Sequence, residues 1–141
     1  MENYEKQIKE NEKRNKKFID EFEKYLKEKD LVEKTIKNHI NNIKLYLNDY
    51  LNYYEFVKME DGISRIDSFL GDWFIRKCMW SSKTSIKETA ASIKKFYQAM
   101  LEYQHITKED YQYVCDEIKE NMECWLDSLE MYDDDSFYDW I

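Results

Sequence analysis

An all-α fold follows from three features of this 141-residue sequence. It contains no Pro and two Gly, it is rich in helix-compatible Lys, Glu, Leu, Ile and Tyr, and its apolar residues recur at spacings of three and four. A chain of this length forms one domain burying roughly two thirds of its unfolded surface, so its core needs no disulfide or metal staple. The sequence also repeats itself. Ile19-Asp20-Glu21-Phe22 returns as Ile66-Asp67-Ser68-Phe69, and Thr35-Ile36-Lys37 with Ile43-Lys44-Leu45-Tyr46 returns as Ser85-Ile86-Lys87 with Ile93-Lys94-Lys95-Phe96. The copies are offset by 47 residues (22 to 69) and 50 (35 to 85), room for a helix, a turn and a second helix. One such hairpin leaves its apolar face uncovered, and two can cover each other. The predicted architecture is a small bundle of four core helices, built as two repeated hairpins, with a fifth C-terminal helix.

Residues 1–15 read as a charged lead-in whose apolar pair, Tyr4 and Ile8, is spaced i, i+4. The first firm helix covers 16–28, where Phe18, Phe22, Tyr25 and Leu26 fall on one side and Asp30 marks the end. From Glu33 to Tyr53, Ile36, Ile40, Ile43, Leu47 and Leu51 make the strongest apolar stripe, on a helix about 30 Å long. Glu60-Asp61-Gly62 interrupts the pattern, and Ser64 is placed to cap a third helix carrying Ile66, Phe69, Leu70, Trp73 and Phe74. Ser81-Ser82 supplies the next cap, before a helix over 83–104 that turns Ile86, Ala90, Ile93, Phe96, Tyr97 and Met100 inward. Thr107 with Asp110 makes a capping box for the fifth helix, whose stripe is Tyr111, Val114, Ile118, Met122, Trp125 and Leu129. Residues 132–141 mix acids with aromatics without a period and read as a tail, which leaves 16–131 as the helical domain.

The net charge of −8 argues against a polyanionic partner until its distribution is read. Residues 1–105 carry 20 Lys or Arg against 18 Asp or Glu, whereas 106–141 carry 2 against 12. The body is mildly basic, and the acidity sits in the last quarter. Cys78, Cys115 and Cys124 have no paired spacing and no nearby histidines, so neither a disulfide framework nor a zinc site is expected, and a reducing cytoplasm is the expected location. No apolar run approaches the roughly 18 residues of a membrane span. Asp133-Asp134-Asp135 lacks the Gly turn and distal Glu of a calcium loop, and no metal or other cofactor is expected. His39 flanks an apolar stripe as a local packing residue, and His105 lies where a helix C-terminus favours a cation.

The segment Phe22-Glu23-Lys24-Tyr25-Leu26-Lys27-Glu28-Lys29-Asp30-Leu31-Val32-Glu33-Lys34-Thr35-Ile36-Lys37 resembles the first half of the SAM-like, N-terminal core-binding domain of tyrosine recombinases and phage integrases. Ser82-Lys83-Thr84-Ser85-Ile86 through Ile93-Lys94-Lys95-Phe96-Tyr97 resembles the second half, so the likeness covers about 16–104. Two departures are Asp30, where such domains often have Gly, and His39, where an aromatic is usual. The resemblance implies a helical module bound to double-stranded DNA in recombination or integration. Strand cleavage in that family needs a separate catalytic domain with a His-x-x-Arg motif and a nucleophilic Tyr. Here His39 precedes Ile40-Asn41-Asn42 and His105 precedes Ile106-Thr107-Lys108, so neither opens that motif and no enzymatic activity is expected.

Lys34, Lys37, Asn41 and Lys44 share one face of the second helix, and Lys87 and Lys94, with Lys83 a turn earlier, repeat the spacing on the fourth. These lysines are the candidate phosphate contacts, and Asn38 or Asn41 is suited to an adenine edge. The alternative is a protein–protein module, self-associating, DNA-mimicking or autoinhibitory, acting through the acidic aromatic C-terminal segment with Trp125, Tyr132, Phe137 and Trp140 as contacts.

Overall fold

The computed structural model describes the backbone of residues 2–139 and the side chains of 3–134. Its order is α1 (Glu2–Glu28), α2 (Glu33–Lys44) running on through a π-helical turn (Leu45–Tyr50), a 3-10 turn (Met59–Arg65), α3 (Ile66–Ser68), a second π turn (Phe69–Trp73), α4 (Phe74–Lys77), α5 (Lys83–Glu102) and α6 (Lys108–Asp139). The described residues contain no strand, and 66–77 reads as one irregular helix.

The repeated positions are the core. Phe22 and Phe69, Ile36 and Ile86, Ile43 and Ile93, and Tyr46 and Phe96 are all buried, while Lys37, Lys44, Lys87 and Lys94 are all exposed. Helix α5 packs against α1, α2 and α6, and α6 also covers 66–77.

Helix α1 is continuous from Glu2, so the charged lead-in is helical and forms its first part. Buried amides fasten it. Asn11 Nδ2 donates to Asn52 Oδ1 at 2.6 Å, Asn15 Nδ2 donates to Asn48 Oδ1 at 3.0 Å, and the Tyr4 ring lies 5.0 Å from that of Phe56. Likewise α6 remains helical to Asp139, through most of the segment the sequence presents as an aperiodic tail.

Asp30 has φ 58°, the left-handed conformation that closes a helix and favours Gly. The aspartate is accommodated there because Asp tolerates this region better than bulkier residues. Asp30→Gly is therefore expected to be neutral or to stabilise by up to about 1 kcal/mol, and Asp30→Val to destabilise by about 1–2 kcal/mol, in urea unfolding.

Two caps match the sequence reading and one does not. Ser85 N–H donates to Ser82 Oγ at 3.0 Å and Ser82 N–H to Ser85 Oγ at 2.7 Å; Asp110 N–H donates to Thr107 Oγ1 and Thr107 N–H to Asp110 Oδ2, each at 3.1 Å. Ser64 instead donates back to the Asp61 carbonyl at 3.0 Å, because the 3-10 turn continues to Arg65 and places the serine inside it.

Above Gly62 the core contains a polar relay. Tyr97 OH donates to the Met59 carbonyl at 2.8 Å, so its oxygen accepts the Tyr46 hydroxyl, also at 2.8 Å; burial holds both phenols above their ordinary pKa. A Cβ on Gly62 would stand 2.4 Å from Tyr46 OH, so the relay needs glycine there. Tyr97→Phe strands the Met59 carbonyl and the Tyr46 hydroxyl together, and should cost about 2–3 kcal/mol. Tyr46→Phe leaves the Tyr97 bond intact and should cost about 1 kcal/mol. Urea unfolding of the two variants checks that order.

Candidate nucleic-acid interface

Helix α2 lies between α1 and α5 and buries Ile36 and Ile43, which leaves its outer side to Lys34, Lys37, Asn38, Asn41 and Lys44, all exposed. Among the described residues no carboxylate pairs with any of these three lysines. On α1 the neighbouring cations are partly neutralised, since Lys16 pairs with Asp20 at 3.0 Å and Lys27 with Glu23 at 3.8 Å. Lys9 and Lys13 of α1, which line a groove together with Lys44, are unpaired among the described residues as the α2 lysines are.

The lysines of α5 do not extend the α2 crest. Ser92, on the α5 edge that meets α2, accepts from Asn42 Nδ2 at 3.0 Å and lies 2.7 Å from His39 Nδ1. At about 100° per residue, Lys87 and Lys94 point roughly 140–160° away from Ser92, round toward α6. Lys83 is ion-paired with Glu130 of α6. The repeated lysines of α2 and α5 therefore sit on outer faces that turn in different directions. Lys95 was not singled out by periodicity, yet its charge reaches His39 and places it at the α2 seam.

The seam fixes a tautomer. Ser92 Oγ spends its proton on the Glu88 carbonyl at 3.0 Å, so His39 Nδ1 must donate to it, which leaves Nε2 as an acceptor. Burial, and next the Lys95 charge, hold the imidazole below its usual pKa. His39 thus packs locally, as the sequence suggests. His105 pairs with Glu21 at 3.0 Å and sets its ring edge-on to Phe18.

Of the C-terminal contact candidates, Trp125 is a core residue, 1% exposed, and offers no surface to a partner. Its indole fills the space left by Gly71, where a Cβ would come within 2.7 Å, and its N–H donates to Asp67 Oδ1 at 2.7 Å. Tyr132 is exposed, whereas the side chains of Phe137 and Trp140 lie outside the described residues. The carboxylates of α6 stand across α5 from the α2 crest, because α6 is laid against α5 and 66–77. Among the described residues no helix is long and apolar enough to cross a membrane, and no group of His, Cys, Asp and Glu is arranged to hold a metal ion.

These features define a helical module with one cationic helix face and a segregated acidic helix. Residues 2–52 match the family model described as Phage integrase SAM-like domain, which makes the α1–α2 hairpin similar to the N-terminal SAM-like domain of phage integrases and tyrosine recombinases. The match takes in the lead-in and ends before the second hairpin. No curated protein and no solved structure matches the chain.

Proposed function

We infer that the protein is an integrase-related, DNA-associated module that binds duplex DNA through the outer face of α2. The observation that carries this reading is the coincidence of the family match over 2–52 with the unpaired Lys34, Lys37 and Lys44 crest within it. Each ammonium neutralises a backbone phosphate and releases its counterions, and Asn38 and Asn41 reach base edges between them. Lys95 of α5 adds a cation at the seam, while Lys87 and Lys94 contribute only to the general field. In this reading the chain itself performs no chemistry on DNA. A fluorescence-anisotropy titration of a labelled duplex at low salt is expected to give saturable binding, weakening toward the 10⁻⁴–10⁻⁶ M dissociation constants of non-specific complexes at about physiological salt. Absence of binding to any duplex at low salt removes the reading.

A further inference from the structure

Beside the α2 crest lies a groove of about 480 Å³ between α2 and the start of α5, in the size range of small-molecule sites. Asn38 and Asn41 line one wall, Trp80 another, and Lys44, Asp49 and Glu88 are the charged groups around it. Among the described residues the amides of Asn38 and Asn41 have no hydrogen-bond partner.

Trp80 is 62% exposed although it stands in the short turn between α4 and α5, and Met79 beside it is fully exposed. The indole is not loose, because its ring meets Phe74 edge-on with centroids 6.5 Å apart. A steadied, solvent-facing indole is a stacking platform, since any planar base can lie on it. One cation against two carboxylates makes the groove a poor cradle for phosphate. Those same carboxylates, with two free amides, suit a neutral planar group that bears an exocyclic amine.

We propose that this groove receives a single unstacked DNA base, stacked on Trp80, its edge read by Asn38 and Asn41 and its amine by Glu88 or Asp49. The backbone of that nucleotide runs onto the Lys44 end of the crest, so the assignment rests on the DNA reading above. The groove therefore selects bulged, flipped or single-stranded cytosine or adenine over thymine, which has no exocyclic amine.

The test compares three labelled duplexes with the full chain: fully paired, with one bulged cytosine, and with one bulged thymine. The cytosine bulge is expected to bind about 5–30-fold tighter than the paired duplex, with a smaller gain for thymine. Trp80→Ala should erase that gain and leave paired-duplex affinity within about twofold, and Trp80→Phe should keep most of it. Because Trp80 is largely exposed, both variants should retain the wild-type circular dichroism spectrum. Equal affinity for paired and bulged duplexes, or a gain that survives Trp80→Ala, overturns the base site while the duplex reading stands. A thymine gain equal to that of cytosine overturns the carboxylate assignment, and failure of all three duplexes to bind removes both the site and the reading beneath it.

Discussion

Reversing the charge of Lys34, Lys37 and Lys44 together to Glu is expected to weaken duplex binding by at least about 100-fold at low salt, since each change removes one phosphate contact and adds a repulsion. All three side chains are exposed and unpaired among the described residues, so the folded state loses no ion pair with them. The triple variant should unfold within about 1 kcal/mol of the wild type, as surface substitutions usually do. The comparison that gives the result its meaning is Lys87→Glu with Lys94→Glu. Those two lysines are exposed as well and occupy the equivalent repeat positions, but they face toward α6, so their reversal should cost less than about tenfold. Equal losses from the two sets would mean that the field of the whole body, and not the α2 face, holds the DNA.

Trp125→Ala should lower stability by about 3–5 kcal/mol, the range for emptying a buried aromatic site. Three losses converge there. The indole leaves a cavity between α6 and 66–77, Gly71 offers no side chain to fill it, and the Asp67 carboxylate loses the N–H that it accepts at 2.7 Å. In thermal melts this corresponds to a midpoint lower by on the order of 10 °C. Trp125→Phe keeps most of the packing and forfeits chiefly the hydrogen bond, so it should cost about 1 kcal/mol. Since α6 does not form the α2 crest, either variant, while folded, should bind duplex DNA like the wild type.

The fold was readable wherever apolar periodicity was strong. The Phe22, Ile36 and Ile43 positions and their repeats Phe69, Ile86 and Ile93 carry the core, and the Ser82 and Thr107 boxes mark helix starts by local hydrogen bonding alone. The first turns of α1 were harder to read because amides occupy their buried positions. Tyr4, Ile8, Asn11, Asn15, Phe18 and Phe22 keep the spacing of three and four, and Asn11 and Asn15 satisfy their amides against Asn52 and Asn48, which are distant in sequence. Trp125 carried two conflicting signals. Its place in the Val114, Ile118, Met122 and Leu129 stripe pointed inward, whereas the acids and aromatics that follow it suggested an interface, and the approach of Gly71 and Asp67 decides for burial. At the candidate site the face of α2 was legible from spacing within one helix. The relative rotation of α2 and α5 depends on packing through Ser92, His39 and Asn42, which no spacing encodes, so the match between the two lysine sets did not survive folding.

Duplex affinity measured as a function of salt tests the central claim most directly. With three to four phosphates neutralised by the α2 crest and its neighbours, the logarithm of the binding constant should fall with the logarithm of salt concentration at a slope of about −2.7 to −3.6, and the Lys34, Lys37 and Lys44 reversal should flatten it. A wild-type affinity indifferent to salt, or a slope that the reversal leaves unchanged, would contradict an electrostatic grip through that helix face.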